Sequence, residues 1–149
     1  MTSIGSEAAI PNRALAAFSP LIGEWRTEGK HPMVPGTTFH GRALLQFIEN
    51  GAFLMMRTEI DEPEIPSGIA IIGSDDTAGT FFMLYFDERG VSRKYDVRLD
   101  GEQSEWRRDD PEFSQCFTVT IGRDKMQGVG RMRRKDAEWQ DDLSLTYTR

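Results

Sequence analysis

The chain has 149 residues, 28% of them charged and 38% hydrophobic, and a formal net charge of −6. This length is most simply one domain, and it is enough to bury a core without disulfides or metals. The acidic balance argues against sequence-independent nucleic-acid binding, because that binding requires cations that neutralise phosphates.

The single cysteine, Cys116, excludes an intrachain disulfide, and no histidine lies near it in sequence to activate a thiol nucleophile. No window approaches the roughly 18 consecutive apolar residues of a transmembrane helix. The N-terminus lacks the basic and apolar regions of a signal peptide. We therefore expect a cytoplasmic protein that contacts neither a membrane nor nucleic acid.

The N-terminal part of the chain differs from the rest in its hydrophobic pattern. Residues 1–10 are small and polar, and we expect them to be disordered or frayed. A short helix is predicted over 11–18, where Leu15 and Phe18 are spaced to share one face, and Pro20 is predicted to end it. The remainder, 11–149, is predicted to form one domain in which this helix caps a barrel.

From residue 22 onward the apolar residues alternate with a period of two, which is typical of strands. The runs are mostly separated by turn signals, of which Asn50-Gly51 is the strongest. Two Pro-rich stretches, 31–37 and 61–67, are predicted to be longer loops at one mouth of the barrel. The ten predicted strands are 22–30, 38–49, 52–60, 68–74, 80–87, 91–99, 103–109, 113–122, 126–134 and 138–149.

Short strands in a meander indicate an all-β fold, and closure removes the edges that an open sheet would expose. The two ends of the pattern support closure, because Trp25 lies on the first strand and Arg149 on the last. A cation–π contact between them would join those strands. We therefore predict a ten-stranded antiparallel meander β-barrel with a short N-terminal helix, and we assign Trp25 and Arg149 to its closure.

The opening strand, residues 21–29 with Gly23-Glu24-Trp25, resembles that of the nitrobindin-like and fatty-acid-binding-protein-like barrels of the calycin superfamily. Three further segments, 85–93, 108–117 and 142–149, resemble a family of uncharacterised bacterial proteins of about this length. That second resemblance spans residues 18–149. It implies a calycin-type, ten-stranded barrel and no established chemistry.

The distant resemblance to nitrobindins raises the question of haem, which those proteins hold through a histidine late in the chain. This sequence has no histidine after His40, and Lys30-His31-Pro32 replaces the glycines and the Tyr-Pro pair of the nitrobindin opening. A site rebuilt on Tyr147 or His40 is the alternative. We expect no cofactor, and no metal site either, since His31 and His40 have no third ligand nearby.

Three polar residues are expected inside the barrel. Alternation over 91–99 puts Arg93 and Tyr95 on the apolar face of that strand, and the same argument over 113–122 brings in Gln115. Fatty-acid-binding barrels hold a ligand carboxylate with an interior Arg and Tyr through charge-assisted hydrogen bonds. The three residues are therefore candidates to orient an anionic ligand.

A buried arginine is costly unless it is paired, so the alternative interpretation of Arg93 is an internal ion pair or a position at the rim of the barrel. The carboxylates considered for that pair are Asp141, Glu105 and Glu59. The candidates to enclose a ligand are aromatic, although the same residues would also make an ordinary core. They are Phe82, Phe113, Phe117, Trp106, Trp139 and Tyr147.

Three functional hypotheses follow. The first is a binding protein for a small hydrophobic or amphipathic, anionic ligand held inside the barrel. The second is a cofactor-free isomerase or hydrolase with His40, Tyr95 or an interior aspartate as acid or base. No catalytic set is evident in the sequence, so we favour a protein that is not an enzyme. The third is a filled barrel whose outer face, on 52–60 and 80–87, forms a homodimer.

Overall fold

Ten antiparallel strands form a closed barrel in the computed structural model, which describes residues 9–149. Each strand pairs with its neighbours in sequence and the first pairs with the last, so the predicted all-β meander barrel is confirmed. The expectation for residues 1–10 falls almost entirely outside the described residues. The strands are β1 (Gly23–Lys30), β2 (Phe39–Ile48), β3 (Phe53–Ile60), β4 (Gly68–Asp75), β5 (Thr80–Asp87), β6 (Ser92–Asp100), β7 (Gln103–Arg108), β8 (Phe113–Ile121), β9 (Lys125–Arg134) and β10 (Gln140–Thr148).

All ten predicted strands begin and end within two residues of their positions in the structure. The reason is that burial follows the alternation of the sequence, which is most regular on β9, where Met126 and Met132 face inward. The turns use the expected chemistry. Asp75, for example, accepts hydrogen bonds from the backbone N–H groups of Thr77 and Ala78.

A 3₁₀ helix, Arg13–Leu21, packs against one end of the barrel. Its buried residues are Leu15, Phe18 and Leu21, and the Phe18 ring meets Phe81 of β5 edge-on with centroids 4.9 Å apart. The prediction that Pro20 ends the helix is wrong. Pro20 lies inside it. The proline nitrogen has no proton to donate, and the next hydrogen bond is donated by Ile22 N to Ser19 O, so the helix does not need a donor at Pro20.

The first and last strands meet at this same end of the barrel. The buried Trp25 donates from its indole Nε1 to Leu21 O, and the guanidinium of Arg149 lies 3.9 Å from the centre of the Trp25 ring. Gly23 lies between them with φ +133°, and a Cβ there would come within 3.0 Å of Arg149 Nη1. Both the backbone conformation and the close approach of the arginine therefore require glycine at this position.

Strand β10 contains one irregularity that decides which side chains face inward. Asp141 pairs with Arg131 of β9, and the next pair in the register is Ser144 with Val129. The interval holds one more residue on β10 than on β9, which is the pattern of a β-bulge. As a result Asp142 and Leu143 both reach the interior, and the alternation before the bulge is out of phase with the alternation after it.

Candidate functional site

A cavity of about 530 Å³ occupies the barrel on the far side from the 3₁₀ helix. It reaches both of the predicted long loops, which contribute Met33 and Ile65 to its lining. Most of the wall is apolar or aromatic, as in the ligand pockets of other proteins. The side chains that make this wall include Met56, Met83, Trp106, Phe117, Leu145 and Tyr147.

A polar cluster near the mouth of the cavity centres on the side-chain amide of Gln115. Its Oε1 accepts hydrogen bonds from Arg93 Nη1 at 3.0 Å and from Tyr95 Oη at 2.7 Å. Its Nε2 donates to Asp142 Oδ2 at 3.2 Å. The amide thus lies between the arginine and the carboxylate and keeps them from pairing directly.

His31 attaches the loop that follows β1 to this cluster. Its Nδ1 accepts from the backbone N–H of Met33, so Nε2 carries the ring proton and donates to Asp142 Oδ1 at 2.9 Å. The carboxylate of Asp142 therefore accepts from both His31 and Gln115. This arrangement holds the loop over the mouth and uses both imidazole nitrogens.

Arg93 has no carboxylate partner among residues 9–149. Its guanidinium bonds to Gln115 and lies over the Phe113 ring, 5.2 Å from the centroid. The predicted ion pair is wrong for each carboxylate considered. Asp141 pairs with Arg131 and Glu59 with Arg42, both outside the barrel, and Glu105 lies on the outward face of β7.

An ion pair lies beside the cavity at the end of β5. Arg89 Nη2 and Tyr85 Oη donate to Asp87 Oδ2, at 2.7 and 2.8 Å. Burial disfavours ionisation of Asp87, but the hydrogen bonds from Arg89 and Tyr85 outweigh it and lower its pKa to about 2. Arg89 is thus already neutralised, whereas Arg93 is not. Arg134 also lines the mouth and adds to its positive charge.

The structure brings most of the sequence-predicted residues together around the cavity. The predicted residues that line the cavity are Arg93, Tyr95, Gln115, Trp106, Phe113, Phe117 and Tyr147. Phe82 and Trp139 do not line it, so the prediction that these two side chains point inward is wrong.

Phe82 faces the outside of the barrel, where Lys94 Nζ lies 5.5 Å from the centre of its ring. The run 80–86 is apolar on both faces, so its alternation does not distinguish inside from outside. The buried Met83 shows which set points inward. Phe82 therefore belongs to the opposite set, because neighbouring side chains on a strand point to opposite faces.

Trp139 precedes β10, and its ring lies between the guanidinium groups of Arg107 and Arg133, at 5.5 and 5.3 Å. The prediction assumed that alternation runs unbroken along the last strand, so that Trp139 shares a face with Leu145 and Tyr147. Because the bulge inverts the phase of that alternation, residues on the N-terminal side of it are assigned to the wrong face.

Sequence reasoning missed three residues of the site: Asp142, His31 and Arg89. Alternation assigned Asp142 to the outer face, and only the bulge brings it inside. His31 and Arg89 lie in loops, where alternation gives no orientation. The sequence Asp87-Glu88-Arg89-Gly90 did indicate a tight turn, and such a turn can bring Asp87 and Arg89 together.

The side chains present do not fit an axial ligand for haem. His40 points away from the cavity and bonds Glu62, with Nδ1 to Oε1 at 3.1 Å, and His31 has both ring nitrogens engaged. Burial raises the pKa of Tyr147, which opposes the tyrosinate form that binds iron. Within the described residues, no three His, Cys, Asp or Glu side chains converge as metal ligands would.

The outward position of His40 also removes it from the cavity as an acid or base. Cys116 is half-buried, and burial raises the pKa of its thiol, which opposes a nucleophilic thiolate.

The barrel is similar to the crystal structure of Rv2717c from M. tuberculosis, with a TM-score of 0.67 and 17% sequence identity. The match covers 92% of this chain and 97% of that chain. No protein-family model matches the chain, and no curated protein matches it in sequence. At this identity the likeness shows the fold alone, a β-barrel compatible with ligand binding, and the nitrobindin-like and fatty-acid-binding-protein-like resemblance stays a prediction.

No helix among residues 9–149 has the length and hydropathy needed to cross a membrane.

Proposed function

We propose that this protein binds a small hydrophobic or amphipathic anion inside the barrel, oriented by Arg93, Tyr95 and Gln115. The observation that carries the proposal is the guanidinium of Arg93, which faces a largely apolar cavity without a carboxylate partner in the described chain. A partly buried cation in such a place is costly, and a ligand carboxylate would supply the missing counter-ion.

The geometry of the donors supports this role. Arg93 Nη1 and Tyr95 Oη converge on a single acceptor atom, Gln115 Oε1, at 3.0 and 2.7 Å. A carboxylate that took the place of this oxygen would receive two hydrogen bonds, one of them charge-assisted at both ends. Burial raises the pKa of Tyr95, so its hydroxyl remains a donor at neutral pH.

The rest of the cavity supports an apolar body for the ligand. Trp106 and Phe117 stack with centroids 5.1 Å apart and present a flat aromatic wall. Met56 and Met83 complete the lining, and their unbranched side chains adapt to ligands of different shape. A linear or flat hydrocarbon with one acidic group fits this division between polar mouth and apolar wall.

Isothermal titration calorimetry with decanoic acid and decanol tests the proposal. We expect decanoic acid to bind, and Arg93→Leu to weaken its binding by roughly 1.5–3 kcal/mol, the contribution of a hydrogen bond to a charged group. Decanol binding should change little in this variant, because the alcohol carries no charge.

Arg98→Leu is the matched control, since Arg98 lies on the same strand but faces solvent. It should leave both affinities unchanged. Equal affinity of wild type and Arg93→Leu for decanoic acid would remove Arg93 as the anchor. If neither compound bound the wild type, the proposed function itself would be wrong.

The cytoplasm remains the proposed location. The only cysteine, Cys116, is free, and a protein that uses no disulfide has no need of an oxidising compartment.

We also propose a homodimer formed through the outer face of β3, β4 and β5. Apolar side chains are in register there, with Ile71 opposite Leu84 and Ile69 opposite Phe86, and Leu84 and Phe86 are 38% and 41% exposed. A two-fold axis through this face would place the same patch of two copies in contact.

Sedimentation equilibrium tests the dimer. The wild type should be a dimer that Leu84→Glu dissociates. Thr120→Glu, on the solvent face of β8, should leave the dimer intact. A wild-type monomer at high concentration would contradict the dimer.

A further inference from the structure

The side chain of Tyr147 faces the cavity near the end of β10, well away from the polar cluster at the mouth. It is 4% exposed, and it lines the same cavity as Arg93 and Gln115. Its hydroxyl has no hydrogen-bond partner among residues 9–149, and burial is the one cause that raises its pKa. Because Tyr147 lines the cavity, a ligand that filled this end without offering a partner would cost the desolvation energy of the hydroxyl, which a hydrogen bond would recover.

The neighbouring strand carries a second hydroxyl without a partner in the described residues. Thr27 of β1 lies directly opposite Tyr147 in the β1–β10 register. The Oγ1 of Thr27 is buried, the residue is 2% exposed, and this oxygen has no partner in the described part of the chain. Two adjacent strand positions therefore carry polar groups whose hydrogen-bonding capacity is unmet.

Ser104, which lines a small pocket with Tyr147 at the helix end of the barrel, makes no hydrogen bond with the phenol, and the other side chains around Tyr147 are mostly apolar. They include Leu45, Met56, Ile72, Met126 and Leu145. A hydrocarbon tail that ended here would leave the phenol unpaired, whereas a ligand that carried a hydroxyl or carbonyl group would pair with it. The usual solution for a buried polar group is such a partner.

We propose that the natural ligand is polar at both ends, with an anionic group at Arg93 and a hydroxyl or carbonyl group that hydrogen-bonds Tyr147. This inference rests on the proposed function, because it requires a ligand whose anion is held at the mouth. Tyr147 is then a specificity-determining residue. It selects oxygenated acids over plain hydrocarbon acids of the same length.

The separation of the two polar positions indicates the length of such a ligand. Asp142, which bonds Gln115, and Tyr147 lie on the same strand. At about 3.3 Å per residue, the five steps from Asp142 to Tyr147 span roughly 16 Å along β10. A medium-length aliphatic chain spans this distance, and the ω-hydroxy fatty acids are the simplest compounds that fit.

The test is calorimetric titration of the wild type with three pairs of acids: octanoic, decanoic and dodecanoic acid, each with its ω-hydroxy derivative. We expect one ω-hydroxy acid to bind about fivefold more tightly than its parent, as one neutral hydrogen bond allows. Tyr147→Phe should remove this preference and bring the two affinities to within about twofold. Tyr95→Phe is the control, because it removes a hydroxyl at the mouth and should weaken both compounds equally.

The outcomes separate the two proposals. If the parent acids bind but no ω-hydroxy acid is preferred at any length, the second polar position is wrong and the proposed function stands. If no acid binds, the proposed function is wrong and this inference with it. The wild-type series decides the question even if Tyr147→Phe does not fold.

Discussion

The guanidinium of Arg149 lies 3.9 Å from the centre of the Trp25 ring, and it also donates hydrogen bonds to three backbone carbonyls. These are Ile22 O at 2.7 Å, Arg123 O at 2.9 Å and Pro20 O at 3.2 Å. One side chain after β10 therefore connects the start of β1, the end of the 3₁₀ helix and the β8–β9 turn. Each of those segments leaves carbonyls that no strand pairing satisfies.

Replacing Arg149 with Met should destabilise the barrel. The loss of the cation–π contact and the carbonyl hydrogen bonds should lower the free energy of unfolding by roughly 1–3 kcal/mol, measured by urea titration. Arg149→Lys should recover less than half of this loss, because an ammonium group lacks the planar fork that bridges carbonyls. Arg26→Met, at an exposed position of β1, should have little effect. A loss as large for Arg26 as for Arg149 would contradict this account.

Because of the bulge on β10, two neighbouring aspartates differ in their exposure and in their hydrogen-bond partners. The Asp142 side chain is 16% exposed and accepts from His31 and Gln115, whereas that of Asp141 is 76% exposed and meets only Arg131. Asp142→Ala should lower the free energy of unfolding by roughly 1.5–3 kcal/mol, because it leaves two donors unpaired. Asp141→Ala should cost less than about 0.5 kcal/mol, as surface ion pairs usually do. Equal effects of the two variants in urea titrations would contradict the inward position of Asp142.

Asp87 should make the stability depend on pH in acid. Its pKa falls from 3.8 to about 2 on folding, so the native state favours the ionised form. This contribution is complete above pH 3.8 and is lost as the pH falls through about 2. The difference in unfolding free energy between the wild type and Asp87→Asn should therefore shrink across that window. A difference that stayed constant in urea titrations at successive pH values would exclude this role for Asp87.

Gly128 should control the width of the cavity. It faces inward on β9, and the Phe117 ring occupies the space where a Cβ would lie. Gly128→Ala should push Phe117 and its stacking partner Trp106, which would weaken decanoic acid binding and cost roughly 1–3 kcal/mol of stability. Gly73→Ala is the control, since its Cβ would make only ordinary contacts with Phe82 outside the barrel. Unchanged binding in Gly128→Ala would mean that the ligand does not use this wall.

The strands could be predicted from the sequence because half-buried strands alternate, and the turns between them use Gly, Asp and Asn. The interior positions of Arg93, Tyr95 and Gln115 followed from the same rule, since their strands have one clearly apolar face. Phe82 could not be assigned, because both faces of its strand are apolar. Asp142 and Trp139 could not be assigned, because a bulge leaves no signal in the hydrophobic pattern of β10.

The loops limited the prediction of the site in a different way. His31 follows β1 and Arg89 follows β5, so neither is oriented by the strand period. The contact of His31 with Asp142 joins positions far apart in sequence, and it exists only because the barrel is closed. Sequence periodicity describes one strand at a time and contains no information on such contacts.

The pairing of β1 with β10 has a consequence for how the protein is made. Since Gly23–Lys30 pairs with Gln140–Thr148, the first strand emerges from the ribosome long before its second partner. During that interval β1 presents an unpaired edge that other nascent chains can join. Closure therefore waits until β10 has been synthesised, and a chaperone that shields this edge in the meantime would raise the yield of folded protein.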